Sequence, residues 1–174
     1  MTNQVLQLPL TTIWFVPAAA AQAEDYAFEF HNLAAAAGRQ SAHWDRGHAA
    51  RPWAYEWRGF LQFADVPVLT ETVDFYLKWS GTSASATAHP DNDDGTGESA
   101  VSALAKVSNL KYLGSVVVDE AAANVEMSAS GIVVVGSRGV NVVVWNASAD
   151  ALANDVDECG FYMTPLPDQI QNTV

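Results

Sequence analysis

Apolar and polar residues alternate most cleanly over residues 70–79, where Val73, Phe75, Leu77 and Trp79 share one parity and Thr72, Asp74, Tyr76 and Lys78 the other. A period of two predicts a strand with one face on a core and one in water. Trp53, Tyr55 and Trp57 also share a parity, which assigns those rings to a core. Beyond Gly59 come Phe60, Leu61 and Phe63, and this shift predicts a bulge or bend at the glycine. Residues 5–15 are β-branched and aromatic, with Pro9 pushing that segment toward an edge or a bend. Residues 26–30 alternate imperfectly. Three runs, 116–118, 132–135 and 140–145, are β-branched and almost free of charge, as expected of strands buried on both faces. Gly136, Ser137, Arg138 and Gly139 predict a hairpin connection between the last two. Residues 161–164 read as a final strand, stopped by Pro165 and Pro167. Helix is limited to a turn or two near Val101, Leu104, Ala105 and Ser108, and another over 18–23.

These elements predict an all-β protein: a single-domain β-sandwich, jelly-roll-like, with little helix, over residues 1–174. Residues 1–37 are expected to form an N-terminal arm or edge segment, and residues 80–100, small and polar, an exposed acidic loop. With 174 residues, 49% hydrophobic and 16% charged, the chain is large enough for one domain with a real core. Residues 4–23 resemble an export signal, but no Lys or Arg precedes Arg39, and Pro9, Thr11, Thr12 and Pro17 interrupt the apolar run. The reading is therefore of an unexported protein. No stretch reaches the ~20 apolar residues of a membrane-spanning helix.

Charge sharpens the picture. Eight Lys and Arg against 20 Asp and Glu give a net charge of -12. That sign opposes the phosphate backbone of nucleic acids. Residues 1–60 contribute -1 and residues 61–174 contribute -11, so half of all basic residues fall in one short block. The block holds Arg39, Arg46, Arg51 and Arg58 together with Trp44. Arg and Trp are enriched at the buried centres of protein interfaces. These five residues are the candidate docking surface, and exchange of Arg46 and Arg51 for Glu is expected to leave the fold intact.

Candidate chemistry is thin. Asp91, Asn92, Asp93, Asp94 and Gly95 invite a calcium reading, but Pro90 and Val101 occupy positions where an EF-hand loop needs acids. A solvated acidic loop explains the run better. His43, Asp45 and His48 supply only three local metal ligands, with Arg46 among them, and His31 and His89 are remote in sequence. The sequence has neither a Gly-x-Ser-x-Gly elbow nor a phosphate-binding Gly-rich loop with its Lys. The lone Cys159 follows Asp157 and Glu158, which disfavour a thiolate. The expectation is a protein that is not an enzyme and uses no metal or cofactor.

The order of several tracts carries a resemblance. Phe60-Leu61-Gln62-Phe63 and Thr72-Val73-Asp74-Phe75-Tyr76-Leu77 lead into a polar loop ending Asp94-Gly95-Thr96-Gly97-Glu98-Ser99-Ala100. Leu110-Lys111-Tyr112-Leu113-Gly114-Ser115-Val116 follows, then Val142-Val143-Val144-Trp145-Asn146-Ala147-Ser148 with Asp150-Ala151-Leu152, and finally Met163-Thr164-Pro165-Leu166-Pro167-Asp168. Across residues 38–170 this resembles small virion structural proteins of tailed bacteriophages. The resemblance implies a capsid decoration (cement) protein on the virion, assembled in the host cytoplasm. It implies the major capsid protein or other virion proteins as partners, and a homo-oligomer, commonly a trimer. It transfers no individual functional residue. A neck, tail or fibre-associated protein is the alternative within that class. A carbohydrate-binding β-sandwich module is the alternative outside it, since 6 Trp in one domain can supply rings for sugar stacking.

Overall fold

A computed structural model describes residues 11–47, 52–80 and 98–166. The described residues form eleven strands: β1 (Ile13–Val16), β2 (Tyr26–Ala27), β3 (Ala37–Gln40), β4 (Trp44–Asp45), β5 (Ala54–Leu61), β6 (Thr72–Ser80), β7 (Ser99–Val101), β8 (Lys111–Val117), β9 (Met127–Val134), β10 (Gly139–Asn146) and β11 (Gly160–Pro165). The helical content among them is one short 3-10 turn, Leu104–Val107. Residues 18–23 form turns instead of the expected helical turn.

The strands make two packed sheets, ordered β2-β1-β11-β5-β9 and β7-β3-β10-β6-β8, with β4 also pairing β10. The last strand lies beside the first long one and β10 lies beside β3. The chain thus folds back on itself as nested antiparallel pairs, the order of a jelly roll. The expected single all-β sandwich is the architecture observed. Within residues 1–37, β2 is the edge strand of its sheet, and β1 sits between β2 and β11 and carries the fully buried Phe15. Phe28 and Phe30 are core residues as well. Residues 1–10, the acidic run 91–95, Arg51, His48 and His89 lie outside the described residues.

The main core lies between the sheets and is rich in aromatic rings. Trp57 stacks on Phe161 with centroids 5.8 Å apart, and Phe161 lies 5.5 Å from Phe75. Burying each such side chain contributes roughly 1.5–3 kcal/mol. On β5 the parity runs unbroken through Tyr55, Trp57, Gly59, Leu61 and on to Phe63, and the register with β9 and β11 is regular throughout. The bulge expected at Gly59 is therefore absent. Glycine stands there because a Cβ would come within 2.6 Å of the Phe75 ring. The register shift falls instead on the β6–β8 pair, between Phe75 and Tyr76.

A second, smaller core lies on the outer face of the second sheet, where Val101, Val107, Val143 and Trp145 cluster with Tyr76 and Leu110. This layer explains why β10 is buried on both faces as expected, all eight residues included. It also corrects the reading of β6. Lys78, expected in water, is buried with its Nζ donating to Gln40 Oε1 at 3.0 Å, whereas Trp79, expected in the core, is partly exposed. Segments 116–118 and 132–135 are not doubly buried. Val117, Ile132 and Val134 face outward.

Candidate binding surface

Two sheets have four edges, and the molecule treats them unequally. β2 is two residues long and β7 three, so neither offers much backbone to a newcomer. β8 begins with Lys111 and is irregular where it opposes Phe75 and Tyr76. Shortness, lysine and bulges are the devices that keep sheet edges from pairing with other chains. β9 has none of them. Its eight residues, Met-Ser-Ala-Ser-Gly-Ile-Val-Val, carry no charge and no proline; among the described residues they pair with β5 on one side, while β8 of the other sheet runs close by on the other.

Apolar surface gathers at the C-terminal end of this strand. Ile132 is 70% exposed, Val134 60%, Trp53 59% and Tyr112 51%. Between β8 and β9 a shallow groove of about 500 Å³ is lined by Trp79, Lys111, Tyr112, Leu113 and Ile132–Val134. Trp53 adjoins it, since its carbonyl accepts a hydrogen bond from Val135 N at 2.7 Å. Exposed apolar groups clustered in this way mark interaction sites more often than isolated ones do. Beside the groove the Tyr76 and Tyr112 rings meet edge-on at 5.5 Å, and Tyr112 Oη and Ser115 Oγ share a hydrogen bond of 2.6 Å. Ser115 Oγ in turn donates to Asp74. Burial, reinforced by the Asp74 charge, pushes the Tyr76 hydroxyl up to about 12.

Sequence reasoning missed this surface. Parity with Tyr55 and Trp57 predicts a core position for Trp53, but it precedes the strand that orients those two and is exposed. The charge-free run 132–135 predicts burial on both faces for Ile132 and Val134, which are exposed instead. A signal was present: Ser128 and Ser130 share their parity, so a reading begun at Met127 turns that face to solvent.

The four expected docking residues that are described, Arg39, Trp44, Arg46 and Arg58, do not share a face. Trp44 and Arg46 are buried. Arg46 donates from Nη1 to the carbonyls of Val135 (2.5 Å) and Ser137 (2.9 Å) and from Nη2 to Pro52 O (2.7 Å). Its guanidinium also lies 5.8 Å from the Trp44 ring centre and 5.6 Å from that of Tyr55. Arg46 is an internal clamp on the segment joining β9 to β10. That segment crosses from one sheet to the other, so residues 136–139 are not the expected hairpin. Arg58 lies on β5 and pairs with Glu126 at 2.8 Å. Arg39 is half-buried on β3, in the opposite sheet.

The clamp has a second part. Arg138 meets Asp45 through two hydrogen bonds, Nε to Oδ1 at 2.9 Å and Nη2 to Oδ2 at 3.0 Å, and Gly47 N donates to the same carboxylate at 2.8 Å. These donors, Arg138 first, hold the Asp45 carboxyl down at about 2. His43 Nδ1 sits 3.3 Å from Asn141 Oδ1. Asp45 is thus engaged as an ion-pair partner of Arg138. Among the described residues, no three His, Cys, Asp or Glu side chains are placed to hold a metal ion.

A second open groove, about 710 Å³, includes Glu29, His31 and Arg39 among its lining residues. His31 Nδ1 lies 3.3 Å from Glu29 Oε2, and Glu98 accepts a hydrogen bond from Glu29 N. Burial raises the Glu98 carboxyl. Cys159 is buried, and that burial pushes its thiol up to about 12. No helix among the described residues is long and apolar enough to cross a membrane. No family model matches the chain, and no curated protein or solved structure is significantly similar to it.

Proposed function

We propose that this chain is a non-enzymatic structural protein of a tailed-phage particle, a capsid decoration protein that binds the major capsid protein and reinforces the shell. One observation carries the reading: an exposed apolar surface beside a sheet edge, on a jelly roll of strongly acidic composition. Such a surface serves adhesion. A clamp across subunit boundaries adds buried interface without chemistry, and surplus negative charge limits nonspecific sticking to other anionic particles. The resemblance in tract order along the chain supplies the phage setting. Mass spectrometry and cryo-EM of purified particles of the virus that encodes the chain test it. Stoichiometric copies on the head support the proposal, copies at the neck, tail or fibres move it to that part of the particle, and absence from the particle overturns it.

The exposed rings of Trp53 and Tyr112 support a second reading, a glycan-binding module, because sugar stacking needs aromatic faces open to solvent. Titration with a glycan panel while following tryptophan fluorescence tests it. A saturable response lost in Trp53→Ala favours it over capsid decoration.

A further inference from the structure

We infer that the end of the sandwich formed by residues 62–71, 118–126 and 147–158 is a second docking surface, and that it takes a basic protein segment bearing apolar side chains. The inference goes beyond the β8–β9 groove and rests on the reading that the protein works through protein contacts.

The three loops lie together. Ala64 N donates to Ala151 O at 3.2 Å, Asn124 N to Phe63 O at 3.1 Å and Thr70 N to Val118 O at 2.9 Å. All of their residues are described, and the chain passes into undescribed residues after Gly47, Ser80 and Leu166 at the other end, beside Gly139 and Ala54. Val66, Val68 and Leu69 are each about half exposed or more, while Pro67 between them is buried and anchors the stretch. Val117, also exposed, ends β8 next to the Val118 carbonyl that holds Thr70. Thr70 has a φ of 73°, a left-handed conformation that a β-branched residue rarely adopts. Its bond to Val118, and that from Val118 N to Glu71 O at 2.9 Å, fix the turn with Val68 and Leu69 outward.

Charge selects the occupant. These 31 residues include nine carboxylates and no Lys or Arg, so they hold -9 of the chain's -12. Asp65 precedes Val66, and Asp119 and Glu120 follow Val118; all three are exposed and make no ion pair among the described residues. An apolar patch flanked by such carboxylates repels the same end of a second copy, and repels nucleic acid. A neutral apolar partner would strip water from the carboxylates and return nothing. A basic segment supplies their counter-charges while its apolar side chains cover the valines and Leu69. Among the described residues no three of these carboxylates are placed to hold a metal ion, so an ion site does not account for the cluster.

Fluorescence anisotropy on the full chain, with labelled synthetic peptides of equal length, is the test. A Lys/Leu peptide is expected to bind saturably and about tenfold more tightly than a Lys/Ser peptide of the same charge, and a Glu/Leu peptide not to bind. Val66→Ser/Leu69→Ser is expected to weaken the Lys/Leu peptide about tenfold with unchanged circular dichroism. Asp119→Lys/Glu120→Lys is expected to weaken it as well and to flatten its salt dependence. Ile132→Ser/Val134→Ser, in the β8–β9 groove, is expected to change nothing. Should the Val66/Leu69 variant fail to fold, amide exchange on the unaltered protein decides: exchange over 64–71 is expected to slow when the Lys/Leu peptide saturates. No binding, equal affinity for the Lys/Leu and Lys/Ser peptides (charge-driven sticking only), unchanged exchange over 64–71, or binding lost in the groove variant and kept in the loop variants overturns the inference. Particle copies whose occupancy survives the loop variants, with no peptide bound, overturn this surface and leave the decoration reading standing. Peptide binding at the loop end by a chain absent from the particle does the reverse.

Discussion

β9 and β10 look alike as sequence. Each is eight residues long, without charge or proline, and each contains three consecutive β-branched residues. Their fates differ. β10 lies between β3 and β6 with every residue buried, whereas Ile132 and Val134 on β9 stand in solvent. The difference comes from what covers them. The outward residues of β10, Val143 and Trp145, are roofed by Val101, Val107 and Leu110, contributed by β7 and the turn that follows it. Among the described residues, no equivalent layer lies over the outer face of β9. Apolar composition reports that a segment tolerates burial, and distant parts of the chain decide whether burial happens.

The largest expected effect tests that roof. Trp145→Ala removes the biggest ring of the smaller core and should cost about 3–5 kcal/mol in denaturant unfolding. Ile132→Ala, on dilute protein, should change stability by less than about 0.5 kcal/mol. Equal losses would erase the distinction between the two strands. Next comes the link that joins them. Arg46→Met keeps the bulk of the side chain and strands the carbonyls of Val135, Ser137 and Pro52, so a loss of roughly 2–4 kcal/mol is expected. This replaces the expectation that an acidic residue at Arg46 would leave the fold intact. The smallest effect concerns Asp45, which is partly exposed. Its carboxyl is held below its ordinary value of 3.8, so its contribution to stability is present above that value and fades as pH falls toward about 2. Thermal unfolding should find Asp45→Asn less stable than the parent at neutral pH, with the gap closing through that acid window. A gap that widens on acidification would refute the ion-pair assignment.

Much of the fold was legible. The parity of Val73, Phe75 and Leu77, the short charge-free runs and the scarcity of helical periodicity suffice for an all-β sandwich, because a sheet's two-residue repeat is written locally. Edge position is not local. Whether a strand has one neighbour or two depends on pairings such as that between Val144 and Arg39, more than a hundred residues apart. The docking block failed for a related reason. Arg46 lies close in sequence to Arg39 and Arg58, but β3 and β5 carry those two into opposite sheets and leave Arg46 between aromatic rings and carbonyl oxygens. Lys78 shows the same limit, since a cation on the polar parity of a clean strand reads as solvated until a second layer is known to lie over it.

Cys159 gives the molecule its own clock. The thiol is buried in the main core and disinclined to ionise, so alkylating reagents reach it only when the structure around it opens. As it is the only cysteine, each labelling event reports one opening, with no background from other thiols. The rate at which label accumulates therefore reports the openings that uncover this part of the core, in native buffer and with no engineered probe.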